Sequence, residues 1–412
     1  MSGKNRFVAL ECLDCATRFS EEMHSRCTNC GGLLSGVYDL QTDDQVIDLS
    51  KRGFSIWQFK NLLPPVEDSN VVSMGEGWTP LVKAPRYGEK IGSNGVLCKI
   101  EGQNPTGSFK DRLASVGLSL SKQWGKKGVF TASSGNAAAA ISAYSARAGI
   151  RCLVLVREDS TASKLGQISM YNPSLLRVRN LFESQESLFK ALELTQAALP
   201  DWLNHFAWIP FNPLLVDALK TVAYEIASQQ VPDYVFVPTA GGDLLFGIFK
   251  GFSELRTLGL IEKIPKMVVV QGTKSSPTVQ AAEAGKKKVE VTDTAETVAG
   301  ALRVNFGAEH SLIAVKGSSG FGIALDDEEI ISAERDVAKL EGIFCEVSSA
   351  TALAGIRKAI EERRIDKNET ACAVLTGAGL KDYSSPFRDA SLVPLATGAE
   401  NIPEVLKSVY KF

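Results

Sequence analysis

The apolar positions of this chain fall into short strand-like runs, each followed by a stretch with helical spacing. GVFT at 128–131 leads into a small-residue helical stretch at 137–148, and the strand pattern returns at 151–156. YVFV at 234–237 passes through a glycine turn into another helical stretch. MVVV at 267–270 and ACAVL at 371–375 fit the same scheme. Strands that alternate with helices predict an open α/β architecture. A ligand site is then expected at the carboxyl ends of the strands, near a switch in strand order. No eighteen consecutive apolar residues occur, so no membrane-spanning helix is expected. The opening MSGKNRFVAL lacks the apolar run of a signal peptide.

Composition narrows the classes of function. Apolar residues make up 44% of 412, enough for a sizeable core. Lys plus Arg number 45 against 47 Asp plus Glu, a formal net charge of -2. That balance argues against a nucleic-acid binder and against a polybasic membrane-surface protein. A three-histidine metal site would need all of His24, His205 and His310.

The cysteines carry more. Cys12 and Cys15 form one CxxC pair, and Cys27 and Cys30 another. Four thiolates in two compact turns match the tetrahedral preference of structural zinc. Gly31 and Gly32 after the second pair supply a permissive turn. Iron would use the same ligands, a redox dithiol is the other reading, and His24 is an alternative fourth ligand. A closed four-cysteine site leaves no position for substrate, so its expected role is architectural. Without a basic flank, an accessory module of an enzyme is favoured over a nucleic-acid ribbon. Cys98, Cys152, Cys345 and Cys372 lie in apolar segments and read as buried free thiols. A reducing cytoplasm fits them.

The most informative segment is EGQNPTGSFKDR at 101–112. Residues 104–107 read as a turn, with Thr106 or Ser108 as cap of a following helix. Lys110 is expected in the first turn of that helix. A lysine there that faces a pocket forms a Schiff base with an aldehyde; alone, it reads as an ordinary surface charge. Ser133-Ser134-Gly135-Asn136 reads as a turn before a helix. Gly241 and Gly242, in the turn after YVFV, let backbone donors approach a phosphate. Asp243 beside them is expected to turn its carboxylate away from that phosphate or to cap neighbouring amides. Thr376 ends a strand, and residues 346–350 precede a helix and are a further candidate lining.

PTGSFKDR, SSGN and TGAGL (376–380) together resemble fold-type II pyridoxal-phosphate enzymes. GEGWTPL (75–81) and the cysteine-rich start are similar to the threonine synthase family, and the resemblance spans essentially the whole chain. It implies two open α/β domains and an N-terminal zinc-ribbon-like module. The module would span 1–35, with a linker and the start of the large catalytic domain at 36–105. A mainly small α/β domain would cover 106–230, and a mainly large cofactor domain 231–412. The resemblance implies pyridoxal 5'-phosphate on Lys110, which is also the α-proton base, with Phe109, Asn136, Gly241, Gly242 and Thr376 around it. Asn136 would bond the pyridoxal 3-oxygen, and Thr376 would face the pyridine nitrogen. Ser133, Ser134, Gly135 and Asn136 would receive the substrate carboxylate.

The chain departs from the family pattern at Asp243, within the glycine turn, and around the expected site for a substrate phosphate. Where the family carries an Asn-Ser pair and, two positions past a proline, an arginine, this chain has Ile209-Pro210 and Leu215. Ala137 stands where the family has a hydroxyl. These changes remove donors and charge from the expected site for a substrate phosphate. Lys220, Arg303 and Lys381 are the candidate compensating cations. The expected activity is threonine-synthase-like elimination or replacement on a small amino acid, non-phosphorylated or atypically bound, with a second nucleophilic substrate in the replacement case. The alternatives are threonine synthase acting on O-phosphohomoserine, a serine or threonine ammonia-lyase, and a cysteate-synthase-like β-replacement enzyme. A homodimer is the family expectation.

Overall fold

The computed structural model describes residues 4–20, 25–41, 46–292, 295–382 and 399–410; His24 lies outside them. Three strands open the chain: β1 (Phe7–Cys12), β2 (Arg18–Phe19) and β3 (Leu34–Tyr38) form a small antiparallel sheet in the order β2-β1-β3. This sheet runs on to Tyr38, past the cysteine-rich span 1–35. The chain then lays down β4 (Leu81–Lys83) and β5 (Val96–Ile100) of a larger sheet. It leaves that sheet for β6 (Gly128–Ala132), β7 (Arg151–Arg157), β8 (Ser174–Val178) and β9 (Trp202–Asn204), a parallel sheet ordered β8-β7-β6-β9. It returns with β10 (Tyr234–Pro238), β11 (Lys266–Gly272), β12 (Phe321–Leu325) and β13 (Ala371–Leu375). The large sheet is ordered β12-β11-β10-β13-β5-β4, with only the edge strand β4 antiparallel.

The strand sequences explain this layering. β6, β10 and β13 are buried along their whole length. Strands covered on both faces read as continuous apolar runs. Strand order reverses between β10 and β13, the switch point where a crevice opens at the carboxyl ends. The loops after β5, β6, β9, β10 and β13 leave those ends. They carry residues 101–109, 133–136, 205–212, 239–242 and 376–378.

Residues Met1–Lys381 form one compact unit, and Asp382–Phe412 form another that contains the short helix Ile402–Val405. Within the first unit the small sheet is tied to the body. Tyr38 donates to Asp217 Oδ2 at 2.8 Å, Lys250 donates to the Gly36 carbonyl at 2.6 Å, and Lys220 Nζ stands 3.4 Å from the Tyr38 ring centre. Among the described residues no helix is long and apolar enough to cross a membrane.

Helix Lys110–Gln123 lies at the centre of the fold, with an unbroken buried stretch from Asp111 to Ser121. Its expected cap is corrected. Neither Thr106 nor Ser108 caps it: Phe109 occupies the cap position without a side-chain bond. The polarity is reversed, because the Asp111 carboxylate accepts from the Thr106 N–H at 2.6 Å and from its hydroxyl. A carboxylate in the first turn also suits the helix dipole. Arg112, one residue on, enters a buried ionic lattice. Its guanidinium donates to Glu101 at 2.7 Å and to Glu225, which also accepts from Lys99 at 2.6 Å. All four side chains are shut off from solvent.

Candidate active site

The loop before Lys110 is stitched to the end of β13. Phe109 N donates to the Thr376 carbonyl at 3.0 Å, and Ala378 N to the Gly107 carbonyl at 2.9 Å. Lys110 therefore starts its helix at the crevice. Its Nζ stands 4.7 Å from the Phe109 ring centre. Burial lowers the proton affinity of Lys110 below that of an ordinary lysine, and the nearby Asp243 charge opposes that in part. Such an amine exchanges protons more readily than a solvated one.

The loop after β6 faces it. Ser133 accepts from Gly135 N at 3.2 Å, while the Ser134 hydroxyl turns to Ser160 at 2.8 Å. Helix Asn136–Ala148 follows, and its first N–H groups have no intrahelical acceptor. Asn136 donates its side-chain amide to both oxygens of Glu346, at 3.1 and 3.0 Å. The residue pair thus links this loop to the start of helix Val347–Glu361. On that helix Ser349 Oγ lies 3.0 Å from Thr376 Oγ1 and accepts from Gly377 N at 2.8 Å.

Gly241 and Gly242 end the loop after β10, just before helix Asp243–Thr257. Gly242 has φ +97, where a side chain is strained, and a Cβ there would stand 1.7 Å from Ser311 Oγ. Trp208 covers Gly241 and donates from Nε1 to its carbonyl at 3.0 Å. Asp243 turns from the helix start to accept from Ile209 N at 2.9 Å, with His310 Nε2 3.2 Å away. That is the amide-capping role expected of it.

A recess of about 10 Å³, room for about one water-sized group, opens beside Lys110. Leu113 and Ala114 wall it from the same helix, Ala137 and Ile141 from the next, and His205, Ala207 and Leu215 from the segment after β9. Lys110, Ala137 and Leu215, distant in sequence, are thus brought to one place. Ile209 is not in it; its side chain is buried elsewhere in the core. The three candidate cations are committed to other partners. Lys220 pairs with Glu254 at 3.0 Å, Arg303 donates to the Thr297 carbonyl at 2.9 Å, and Lys381 donates to the Thr106 carbonyl at 2.8 Å. A larger cavity of about 280 Å³, between Asn5, Pro65, Leu120, Trp124 and Leu214, sits at the far end of the Lys110 helix and holds no part of this chemistry.

The residues present fit pyridoxal phosphate. Ser108 Oγ, Ser311 Oγ and His310 Nδ1 are buried polar atoms without a hydrogen-bond partner around the lysine and the glycine turn. An unsatisfied buried group is costly unless a ligand completes it. The glycine turn opens onto a helix N-terminus, the ordinary place for a phosphate. Lys110 would carry the aldehyde. His205, His310 and Ser311 had no signal in the sequence. Each belongs to no motif, and each is brought to the site only through long-range folding.

The four cysteines lie together, Cys12 at the end of β1 and the other three in the turns between β1 and β3, and none of them lines the recess. Their ligand atoms all lie within 4.8 Å of one another. Sulfur pairs stand at 3.5 Å (Cys12–Cys30), 3.6 Å (Cys15–Cys27) and 3.4 Å (Cys15–Cys30). A tetrahedron with zinc–sulfur bonds of about 2.3 Å has edges of about 3.8 Å.

Comparison with known proteins points to the same cofactor. The family described as pyridoxal-phosphate dependent enzyme matches residues 72–377. The threonine synthase of Methanocaldococcus jannaschii is 36% identical over 409 residues, 97% of this chain and 98% of that one. That of Methanosarcina acetivorans is 36% identical over 90% of this chain and 92% of its own. Among solved structures, maize serine racemase superposes with a TM-score of 0.64 at 21% identity, covering 76% of this chain and 91% of that one. At that identity the superposition speaks for the fold alone.

Proposed function

The chain belongs to the pyridoxal-phosphate dependent enzyme family, and from that premise we propose that it acts on a small amino acid whose side chain carries no phosphate. Its chemistry is that of a lyase, elimination or replacement. The observation that carries the substrate reading is the recess beside Lys110. Leu113, Ala114, Ala137, Ile141, Ala207 and Leu215 give it apolar walls, and among the described residues no cation but Lys110 itself lines it. A phosphate of two charges placed there would lose its hydration without a partner.

The bound cofactor supplies an electron sink for the charge left at Cα once a proton is removed. The chain's own residues do the rest. Lys110 Nζ holds the cofactor and afterwards moves the proton at Cα. The first N–H groups of helix Asn136–Ala148, with residues 133–135, bind and orient the substrate carboxylate. Asn136, held by Glu346, and Thr376, held by Ser349, orient the ring. Gly241 and Gly242 let backbone donors reach the cofactor phosphate. The apolar recess excludes water from the side chain that leaves or is replaced.

The test is a substrate panel of O-phosphohomoserine, O-phosphoserine, serine, threonine and homoserine, with products identified by mass spectrometry. Keto acid or replacement product from an unphosphorylated amino acid is expected. Threonine with phosphate released from O-phosphohomoserine as the dominant product would overturn the reading. That second reading, a threonine synthase, has its own support in the identity of whole-length relatives that carry that name.

We also infer that Cys12, Cys15, Cys27 and Cys30 hold a structural zinc ion in a zinc-ribbon-like module, supported by the sulfur spacing. One zinc per chain by elemental analysis is the expected result. A homodimer in the cytoplasm goes with this reading, supported by family resemblance and by the free, buried Cys98, Cys152, Cys345 and Cys372.

A further inference from the structure

We propose that Trp208 is a positioning residue for the cofactor phosphate, whose indole N–H sets the Gly241–Gly242 peptide so that the Gly242 amide stays free to receive the anion. The proposal rests on the reading of the glycine turn as the phosphate site and names the side chain that keeps this turn in shape.

The turn itself carries the donors. Ala240 and Gly241 are half-buried, in the loop that leaves the carboxyl end of β10. Among the described residues nothing accepts from the N–H groups of Ala240, Gly241 and Gly242. The first amides of helix Asp243–Thr257 follow them, and these too lack an intrahelical acceptor. Successive free N–H groups of this kind make an anion-binding concavity. Ser311, whose buried Oγ has no partner, lies against Gly242.

One side chain decides how the middle peptide lies. Trp208 Nε1 donates to the Gly241 carbonyl at 3.0 Å. In a trans peptide the carbonyl and the following N–H point in opposite directions. With the carbonyl turned to the indole, the Gly242 N–H is turned away from it. The indole is held in place. It is 3% exposed, and the rings of Phe306, Phe189 and Phe211 are centred 5.0, 6.0 and 6.3 Å from it. A Cβ on Gly241 would stand 2.8 Å from both Cδ1 and Nε1 of Trp208. The first glycine of the pair is therefore required by the indole, the second by its positive φ. One residue on, the bond from Ile209 N to Asp243 ties the same segment to the turn a second time. The Trp208 carbonyl accepts from Phe211 N and Asn212 N, both at 2.9 Å, in the turn that leads to Leu215. Ala207 and Leu215 line the recess on either side of this turn in sequence, so the glycine turn and the recess share one support.

The test uses the full-length enzyme stripped of cofactor and titrated, by absorbance, with pyridoxal 5'-phosphate and with pyridoxal, the same ring without the phosphate. The wild-type enzyme is expected to prefer the phosphorylated form by about a hundredfold or more. Trp208→Phe keeps an aromatic ring and removes the N–H. It should cut that preference about tenfold by weakening pyridoxal 5'-phosphate alone, with pyridoxal within about twofold of wild type. A purely structural role would weaken both alike. Gly241→Ala aims a methyl at the indole from the other side, at a residue without positive φ. It should show the same signature and serves as the second variant if Trp208→Phe does not fold. An unchanged preference, or equal loss of both ligands, in a folded variant overturns the proposal. Ala240→Asp, which puts a carboxylate into the turn, is titrated alongside and should erase the preference. A preference that survives it overturns the reading of the turn as the phosphate site. Its loss there, with an unchanged preference in Trp208→Phe, overturns only the role of Trp208.

Discussion

Two faces of one helix meet opposite environments. On one, Arg112 joins Lys99, Glu101 and Glu225 in a lattice of two positive and two negative groups closed to solvent. On the other, Leu113 and Ala114 line a recess whose remaining walls are apolar apart from Lys110 and His205. The protein buries charge two residues along the helix from Lys110, with a partner for each charge. Among the described residues the recess offers an anion no cation beyond Lys110 itself. The contrast separates rigidity from specificity. The lattice holds the helix that presents Lys110, while on the proposed reading the recess selects what lies against it.

The comparison can be broken at several points. The largest effect is expected from Lys110→Ala, which should lower turnover by about 10²–10⁴-fold or more and remove the borohydride-trapped adduct from the peptide containing residue 110. Survival of turnover would remove the lysine from its role.

Next is Arg112→Leu, which leaves the two buried carboxylates of Glu101 and Glu225 with Lys99 as the remaining cation of the lattice. Urea unfolding should show a loss of about 3–5 kcal/mol. Acid sensitivity follows with a definite sign. Burial alone raises the Glu225 pKa, but Arg112 and Lys99 outweigh it and hold it at about 2. Glu101 is held low by Arg112 and Lys99 against the same penalty. Carboxylates depressed on folding stabilise the protein above their unfolded pKa of about 4.3, and that stability is lost as pH falls toward 2. The Arg112→Leu variant should acid-unfold at a higher pH than the wild type.

Leu215→Arg tests the other face. A cation introduced at the recess should tighten O-phosphohomoserine binding about tenfold and weaken that of hydroxy amino acids. The smallest effect on catalysis is expected at the cysteines. Cys12→Ser with Cys15→Ser should remove the bound metal and lower the melting temperature by about 4 °C or more. Turnover should change by less than about twofold, since Tyr38 and Asp217, not the cysteines, link the small sheet to the segment carrying Leu215.

What was legible in the sequence was local. β6, β10 and β13 were readable because buried parallel strands are continuous apolar runs ended by glycine or a cap. Lys110 and the two CxxC pairs were readable because their chemistry sits within a few residues. The cap at 106–111 was misassigned because Thr106 and Ser108 are both ordinary cap residues, and only the fold shows Thr106 donating to the Asp111 carboxylate instead. Glu225 lies 126 residues from Lys99, and His205 lies 84 from Ser121. No local pattern announces such partners. The absence of charge at Ala137 and Leu215 was visible, but that the two share a wall with Lys110 was not.

The most direct measurement is the ratio of kcat/KM for O-phosphohomoserine to that for unphosphorylated serine, threonine or homoserine, on one preparation of holoenzyme. A ratio well below one for the best unphosphorylated substrate is the result that a recess with apolar walls and no cation beyond Lys110 predicts. A ratio above about ten, with threonine and phosphate formed in equal amounts, would contradict it.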